Sequence, residues 1–184
     1  MKKLHVISLV ILLLVFTFTM CCKKDDHPIK IKFEADFLSE GAEDAFKEMC
    51  EPPASETDFW GKDHQVGAGT AKDLGSLIFD SYFCFHVVLN ENGPDFDNGF
   101  GEYESRGLEG YFEFKNGDRL YLDTPSGKVL PAQEPGYRFE FHDIVNVVGG
   151  TGRFAGAWGK LDSNGLVGES GTEHHWTGKI YVPV

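Results

Sequence analysis

Glycine constrains what this chain can fold into more than any other residue type. The sequence contains 22 glycines among 184 residues, and 21 of them stand at or after Gly61. Because glycine weakens helices and readily adopts positive φ, this distribution favours extended segments joined by tight turns over long helices. The 16 phenylalanines add enough apolar surface to exclude a disordered chain. Together these features predict a single all-β domain.

The N-terminus has the layout of an export signal. Lys2 and Lys3 come before an apolar run over residues 6–20, and Cys21-Cys22 follows it directly. A basic start, an apolar middle and a small residue before the cleavage point are typical of a signal peptide. The run is shorter than the roughly 20 residues that a membrane span needs. An uncleaved N-terminal anchor helix is the alternative interpretation.

The same segment resembles the signal of a bacterial lipoprotein, whose first mature residue is a diacylated cysteine. The resemblance implies lipidation of Cys22. Cys21 is the alternative, less favoured because bulky Met20 would then precede the cleavage point. Multiple acylation holds a domain on a membrane while leaving it in water. The chain is thereby divided into a signal peptide (1–21), a lipidated tether (22–28) and a folded domain (29–184).

These features predict a lipid-anchored protein of the bacterial cell envelope, at the outer membrane. The run Lys23-Lys24-Asp25-Asp26 resembles export tags of surface lipoproteins, which implies surface exposure; a solvated tether is the alternative. Removing residues 1–21 takes two lysines and no acid from 17 basic and 29 acidic residues, leaving 15 against 29 and a net charge of −14. Nucleic acid is therefore not an expected partner, because phosphate binding needs clustered Lys and Arg.

Alternation of apolar and polar residues predicts the strands. Every second residue of 29–37 is apolar, the pattern of a strand with one buried face. Asn116-Gly117 between two alternating segments is a strong hairpin signal. Residues 38–60 predict a loop insertion, in which 40–50 have the composition of a short helix ended by Pro52-Pro53. The predicted strands cover residues 29–37, 63–72, 76–89, 108–114, 120–123, 137–148, 153–161 and 176–182.

Seven or eight strands at hairpin spacing, with no long helix, predict closure into a single antiparallel β-barrel, because closure hides the sheet edges. Two cysteines, Cys50 and Cys84, remain in the predicted domain. In an oxidising compartment they can pair and close a loop of about 33 residues. Two separate thiols, with Cys84 packed in its strand, are the alternative.

The stretch over residues 148–159 is the most distinctive in the chain; it reads Val-Gly-Gly-Thr-Gly-Arg-Phe-Ala-Gly-Ala-Trp-Gly. Gly149, Gly150 and Gly152 allow positive φ in a tight turn between strands. A phosphate-binding loop would need a helix to follow, whereas residues 153–161 alternate like a strand. Phosphate binding is therefore not expected.

This stretch resembles the Gly-Gly-Thr-Gly-basic-Phe-x-Gly-Ala-x-Gly signature of the allene oxide cyclase-like and dirigent-like β-barrel superfamily. Residues 67–75, 115–121 and 178–182 are similar to further features of that superfamily in the same order, so the resemblance covers about residues 61–184. It implies an eight-stranded antiparallel barrel, often a homo-oligomer, whose lumen holds a hydrophobic small molecule. The signature residues build turns and packing, so no catalytic residue is carried over.

Polar residues on the predicted strands are candidate acids and bases wherever they face the lumen, because burial shifts pKa values; outward-facing positions are the alternative. These residues are His86, Glu113, Arg138, Glu140 and His142. Aromatic residues of the same strands are expected in the core or around a lumen pocket. The predicted ligand-binding residues are Phe83, Phe85, His86, Phe112, Glu113, Phe139, Phe141 and Trp176.

No metal or cofactor is expected. His174 and His175 are adjacent, so on a strand they point to opposite faces and do not readily chelate one ion; both are predicted at the surface. Asp95–Gly99 suggests a calcium loop, but the twelve-residue pattern requires Glu where Arg106 stands. A plain acidic turn is favoured, and weak calcium binding is the alternative.

Two hypotheses for the function follow. The first is a non-enzymatic envelope lipoprotein that meets the membrane through its anchor and either binds a small apolar ligand or serves an interaction role. The alternative is an isomerase or cyclase whose lumen holds a lipid-like substrate in one folded shape. A deep apolar cavity with one or two buried charged groups favours the second, and a lumen filled by aromatic side chains favours the first.

Overall fold

The computed structural model describes residues 27–124 and 126–184. Within these ranges the chain forms twelve β-strands and two short 3₁₀ turns, at Phe96–Asn98 and Gly152–Phe154. The predicted signal peptide and lipidated cysteine lie outside the described residues. The strands are β1 (Ile29–Gly41), β2 (Asp58–Ala71), β3 (Gly75–Asn90), β4 (Gly93–Pro94), β5 (Glu102–Glu104), β6 (Gly110–Phe114), β7 (Arg119–Asp123), β8 (Gly127–Lys128), β9 (Leu130–Pro131), β10 (Phe139–Gly150), β11 (Trp158–Gly168) and β12 (Gly171–Val182).

Eight of these strands close into an antiparallel β-barrel, which confirms the predicted fold class. They pair with one another in chain order, β1, β2, β3, β6, β7, β10, β11 and β12. β12 then returns to β1, from the pair Ile29↔Val182 to the pair Ser39↔Thr172. This last pairing removes the free edges of the sheet. No helix long and apolar enough to cross a membrane occurs in the ranges described above.

One end of the barrel is packed solid with apolar side chains, and we call this end the plug. Phe112 lies at its centre, with ring centroids 5.6 Å from Phe33 and 5.2 Å from Trp176. The plug residues and all eight barrel strands lie after residue 28, within the predicted folded domain (29–184). Its fully buried side chains are Phe33, Phe112, Leu120, Phe154, Leu161 and Ile180.

The loop insertion is shorter than the predicted 38–60, covers residues 42–57 and contains no helix, which corrects the expected helix over 40–50. The loop runs along β2 beyond the end of β1. Its backbone bonds to that strand; for example, the Phe46 N–H donates to the Lys62 carbonyl at 2.8 Å. Bonds of this kind satisfy the backbone without helical turns and outweigh the local helix propensity.

A disulfide joins Cys50 of this loop to Cys84 of β3, with Cα atoms 6.0 Å apart. Cys84 points to the outer face of β3, yet only 2% of its surface is exposed because the loop covers it. The link holds the loop against the barrel. A ring of this size contributes about 3–4 kcal/mol by the chain-entropy argument.

The glycine-rich stretch ends β10 and leads through the second 3₁₀ turn into β11. Gly152 has a φ of +53°, and a Cβ at this position would clash with the Asp118 carboxylate. Gly149 and Gly150 are instead extended residues of β10, beside a register shift in its pairing with β7. Their predicted positive φ is therefore wrong, and the glycines with positive φ in the turn are Gly152 and Gly156, the latter with a φ of +69°.

Short strands extend one side of the barrel beyond β6. The far half of β3 pairs with β5, and β5 pairs with β8. Val88, Phe100 and Val129 form a second buried apolar cluster there. These short strands were not predicted from the sequence. They raise a wall at the end of the barrel opposite the plug.

Candidate ligand-binding cavity

A cavity of about 280 Å³ occupies the end of the barrel opposite the plug. Phe79 and Trp176 form its floor, where the barrel core ends. Tyr103, Leu108 and Val129 extend its wall beyond the barrel strands. A concave, mainly apolar space of this kind is the usual form of a small-molecule site.

Five of the eight predicted ligand-binding residues line this cavity. They share an inward position on β3, β10 or β12, where side chains alternate between the lumen and the outside. The rings of Phe141 and Trp176 flank the ring of His174, with centroid distances of 5.6 and 6.0 Å. The five residues are Phe83, Phe85, Phe139, Phe141 and Trp176.

The other three predicted residues lie elsewhere. Phe112 is fully buried in the plug. His86 and Glu113 face the outside of the barrel, because the residues before and after them on the strand point inward. His86 Nε2 lies 2.9 Å from Asp58 Oδ1, and Glu113 accepts a hydrogen bond from Arg119 Nε at 2.7 Å.

The remaining candidate acids and bases also lie outside the cavity. Arg138 and His142 are exposed, and the Glu140 carboxylate accepts a hydrogen bond from the Gln133 backbone N–H at 3.0 Å. None of these three is a lining residue of the cavity. Of the two interpretations of the five candidates, the structure favours the outward-facing one, because none of the five lines the cavity.

Polar side chains that the sequence analysis missed line the cavity instead. The structure, over the residues it describes, buries five polar or charged side chains, and all five contact this one space. A buried polar group costs free energy unless it is hydrogen-bonded. Their concentration at a single cavity marks it as the candidate functional site. The five residues are Ser39, Asp63, Ser105, Ser163 and His174.

Hydrogen bonds connect several of these side chains into a line along the wall formed by β12, β1 and β2. The Trp176 indole N–H donates to His174 Nδ1 at 3.2 Å, and His174 Nε2 lies 2.8 Å from Ser39 Oγ. The Ser39 hydroxyl donates to Gln65 Oε1 at 3.4 Å. Gln65 Nε2 in turn donates to Asp63 Oδ2 at 3.0 Å. We call this set the polar line.

The direction of the polar line follows from the indole. Trp176 Nε1 is only a donor, so His174 Nδ1 must carry a lone pair and the neutral ring must carry its hydrogen on Nε2. His174 therefore donates to Ser39. A serine nucleophile needs the opposite arrangement, in which the imidazole accepts the hydroxyl proton. In this arrangement His174 does not accept the Ser39 hydroxyl proton, so the pair is not set up as a hydrolytic dyad.

Burial sets the charge of the ionisable groups on this line. It lowers the pKa of His174 to about 3, so the imidazole is neutral at ordinary pH. Burial raises the pKa of the Asp63 carboxyl, against the effect of hydrogen bonds from Gln65 and from the backbone N–H of His64. The cavity therefore contains a neutral imidazole and a carboxyl that protonates more readily than usual.

A second carboxyl supports the upper wall of the cavity. The Tyr103 hydroxyl donates a hydrogen bond to Asp143 of β10. Burial raises the pKa of both groups. Because Tyr103 lines the cavity, this bond fixes part of the added wall against the barrel.

Small residues on two strands, β11 and β2, leave the space open. A side chain on Gly165 of β11 would begin 2.1 Å from the Phe141 ring, so glycine lets this ring lie against the wall. The other inward positions of β2, on the same face as Asp63 and Gln65, also lack large side chains. They are Gly61, Gly67, Gly69 and Ala71.

The two adjacent histidines and the acidic turn have structural partners. His174 is buried in the cavity wall, which corrects its predicted surface position, and His175 lies on the outer face 2.7 Å from Asp36. The Asp95 side chain caps the first 3₁₀ turn by accepting from the Asn98 N–H at 3.2 Å. Across residues 27–124 and 126–184, no three His, Cys, Asp or Glu side chains are arranged to hold a metal ion.

The fold and the site define a small eight-stranded antiparallel barrel, plugged at one end and hollow at the other. In comparisons with known proteins, the chain matches no family model, no curated protein and no solved structure. The function proposed below therefore depends on the residues of the cavity themselves.

Proposed function

We propose that the protein binds a small, uncharged and largely apolar molecule in the barrel cavity, as a lipid-anchored protein of the cell envelope. One observation carries the proposal: a single cavity with aromatic walls gathers every buried polar side chain among the residues described. A pocket with apolar walls and a few convergent polar groups provides affinity through the walls and orientation through the polar groups.

The charge of the lining disfavours an anionic ligand. No Lys or Arg is among the described residues that line the cavity, whereas Asp63 is. An anionic ligand would therefore lose its hydration without gaining a counter-charge. Hydroxyl groups such as those of Ser39, Ser163 and Thr172 can bond one polar group of a neutral ligand.

A matched pair of dyes tests this charge preference. N-phenyl-1-naphthylamine is uncharged, and its 8-sulfonate carries one negative charge on almost the same framework. We expect the neutral dye to bind the purified domain at least about tenfold more tightly at pH 8, because the cavity would bury the sulfonate without a positive charge to pair with it. Fluorescence titration gives both affinities. Equal affinities, or tighter binding of the sulfonate, would contradict the proposed ligand class.

Asp63 favours a second candidate function, an isomerase or cyclase that acts on a lipid-like substrate. A buried carboxyl with a raised pKa is suited to act as a general acid. The two functions differ in one observable. A binding protein releases its ligand unchanged, whereas an isomerase converts that molecule when fresh substrate is supplied.

The lipid anchor is the part of the proposal supported by the resemblance of the N-terminus to a lipoprotein signal. We expect Cys22→Ser in the full chain to move the protein from the membrane fraction to the soluble fraction of its host, because acyl chains supply the membrane affinity. Fractionation and immunoblotting measure the change, and Cys21→Ser is the matched control. If only Cys21→Ser is released, Cys21 is the lipidated residue. If both variants stay in the membrane fraction, the protein is held by an uncleaved anchor.

A further inference from the structure

An unusual group of side chains covers the outer face of β1, β12 and β11 near the plug. Four lysines and two aromatic residues surround a shallow groove there, and Asp162 also lines it. We call this group the lysine–aromatic face. Its members are Lys30, Lys32, Trp158, Lys160, Lys179 and Tyr181.

Strand register brings three of these lysines together. Lys32 of β1 and Lys160 of β11 both stand directly opposite Lys179 of β12, one on each side. Like charges directly opposite one another destabilise a sheet. Lys32 lies 3.2 Å from Glu34, but over the residues described no carboxylate forms an ion pair with Lys160 or Lys179. Lys160 and Lys179 thus have no ion-pair partner among the described residues, which in so acidic a chain points to an anionic partner outside the molecule.

The aromatic pair lies in the next row towards the end of the barrel. Tyr181 stands opposite Lys30 and Trp158, and its ring stacks on that of Trp158 with centroids 5.7 Å apart. Trp158 keeps 45% of its surface exposed. Exposed Trp and Tyr beside lysines suit a boundary between water and an apolar phase, where one end of the ring is wet and the other is not.

The lysine–aromatic face lies close in sequence to the predicted lipid anchor, which points to the membrane as its partner. Six residues separate Cys22 from Ile29, the first residue of β1. Even fully extended, they span only about 20 Å. Lys30 follows Ile29 directly, so the start of β1 brings the lysine–aromatic face close to any bilayer that holds Cys22. The open end of the cavity lies at the other end of the barrel.

We propose that the lysine–aromatic face rests on the headgroup surface of an anionic bilayer beside the anchor, and holds the mouth of the cavity away from the membrane. Lysines gain from the negative surface potential of such a bilayer within about one Debye length. The inference rests on the proposed envelope anchoring and is independent of ligand binding.

The test supplies the anchor chemically, so that it does not depend on native lipidation. In a domain that begins at Cys22, the disulfide leaves the Cys22 thiol free to couple to a maleimide lipid in vesicles. The vesicles contain equal parts of phosphatidylglycerol and phosphatidylethanolamine. The same domain coupled to soluble maleimide polyethylene glycol is the reference. An amine-reactive reagent followed by peptide mass spectrometry gives the labelling rate of each lysine.

We expect Lys30, Lys32, Lys160 and Lys179 to react at least about threefold more slowly on the vesicles than in the reference, because contact with headgroups shields them. Lys47, Lys62 and Lys128 lie elsewhere and should react alike in both states. The protection of Lys30 should be lost in a variant with Lys32→Gln, Lys160→Gln and Lys179→Gln. It should persist in the charge-matched variant with Lys47→Gln, Lys62→Gln and Lys128→Gln.

Three results would overturn the proposal: unchanged rates at the four lysines of the face, equal slowing at all seven lysines, or protection confined to Lys47, Lys62 and Lys128. Each of these results would overturn the proposed membrane contact even if the protein is lipidated at Cys22 in its host. Failure of the anchor itself appears separately, in the fractionation of Cys22→Ser.

Discussion

Lowering the pH from 8 to 4.5 is expected to remove about 2–3 kcal/mol from the free energy of unfolding through His174 alone. Burial lowers the pKa of His174 from the ordinary 6.5 to about 3 in the folded chain. Below 6.5 the unfolded chain binds a proton that the folded chain excludes. This contribution to stability is therefore complete above pH 6.5 and falls as the pH drops towards 3.

Denaturant unfolding of wild type and His174→Gln at both pH values measures this contribution. The variant keeps a neutral polar side chain, so it should be less stable at pH 8 but lose about 2–3 kcal/mol less than wild type on acidification. The raised pKa values of Asp63 and Asp143 act in the opposite sense, and they are present in both proteins. His175→Gln removes the exposed neighbouring imidazole and should follow wild type. Equal pH dependence of wild type and His174→Gln would show that His174 is not buried as described.

Ser163→Phe is expected to weaken binding of N-phenyl-1-naphthylamine by at least about tenfold while the barrel stays folded. Ser163 lines the cavity, and only 2% of its surface is exposed. A benzyl group there would enter the space that the ligand needs. Fluorescence titration gives the affinity, and circular dichroism through a thermal melt shows whether the variant is folded.

Asp162→Phe is the matched control, because it places the same side chain one residue earlier on β11. Asp162 alternates with Ser163 and faces outward, opposite Ile144 and Thr177. It should keep wild-type affinity for the dye. A folded Ser163→Phe protein that binds as tightly as Asp162→Phe would place the dye outside the barrel.

Most of the barrel could be predicted because each strand carries its own signal. Alternation marked the strands, Asn116-Gly117 marked a hairpin, and the absence of a helical period left closure as the way to hide the edges. The short strands β4, β5, β8 and β9 have two or three residues each. Segments this short have too few residues for a period to be visible. Their partners are β3 for β4 and β5, β10 for β9, and β5 for β8.

The candidate site was predicted only in part, for a reason visible in single residues. The same alternation that places Phe83 and Phe85 in the lumen places His86 outside, so His86 could have been excluded from the sequence. Asp63 and Ser39 were missed because their positions in the cavity wall depend on where β1 and β2 end and on how these strands pair with their neighbours. Ser39 lies near the end of β1, two residues beyond the predicted end of that strand. The polar line needs three strands in register, which local patterns do not provide.

Native mass spectrometry of the protein purified from its own host shows whether the cavity holds a small uncharged molecule. We expect a retained neutral species on the wild-type and Asp162→Phe proteins that is missing from Ser163→Phe. A wild-type protein that carries no added mass, or a molecule retained equally by Ser163→Phe, would contradict it.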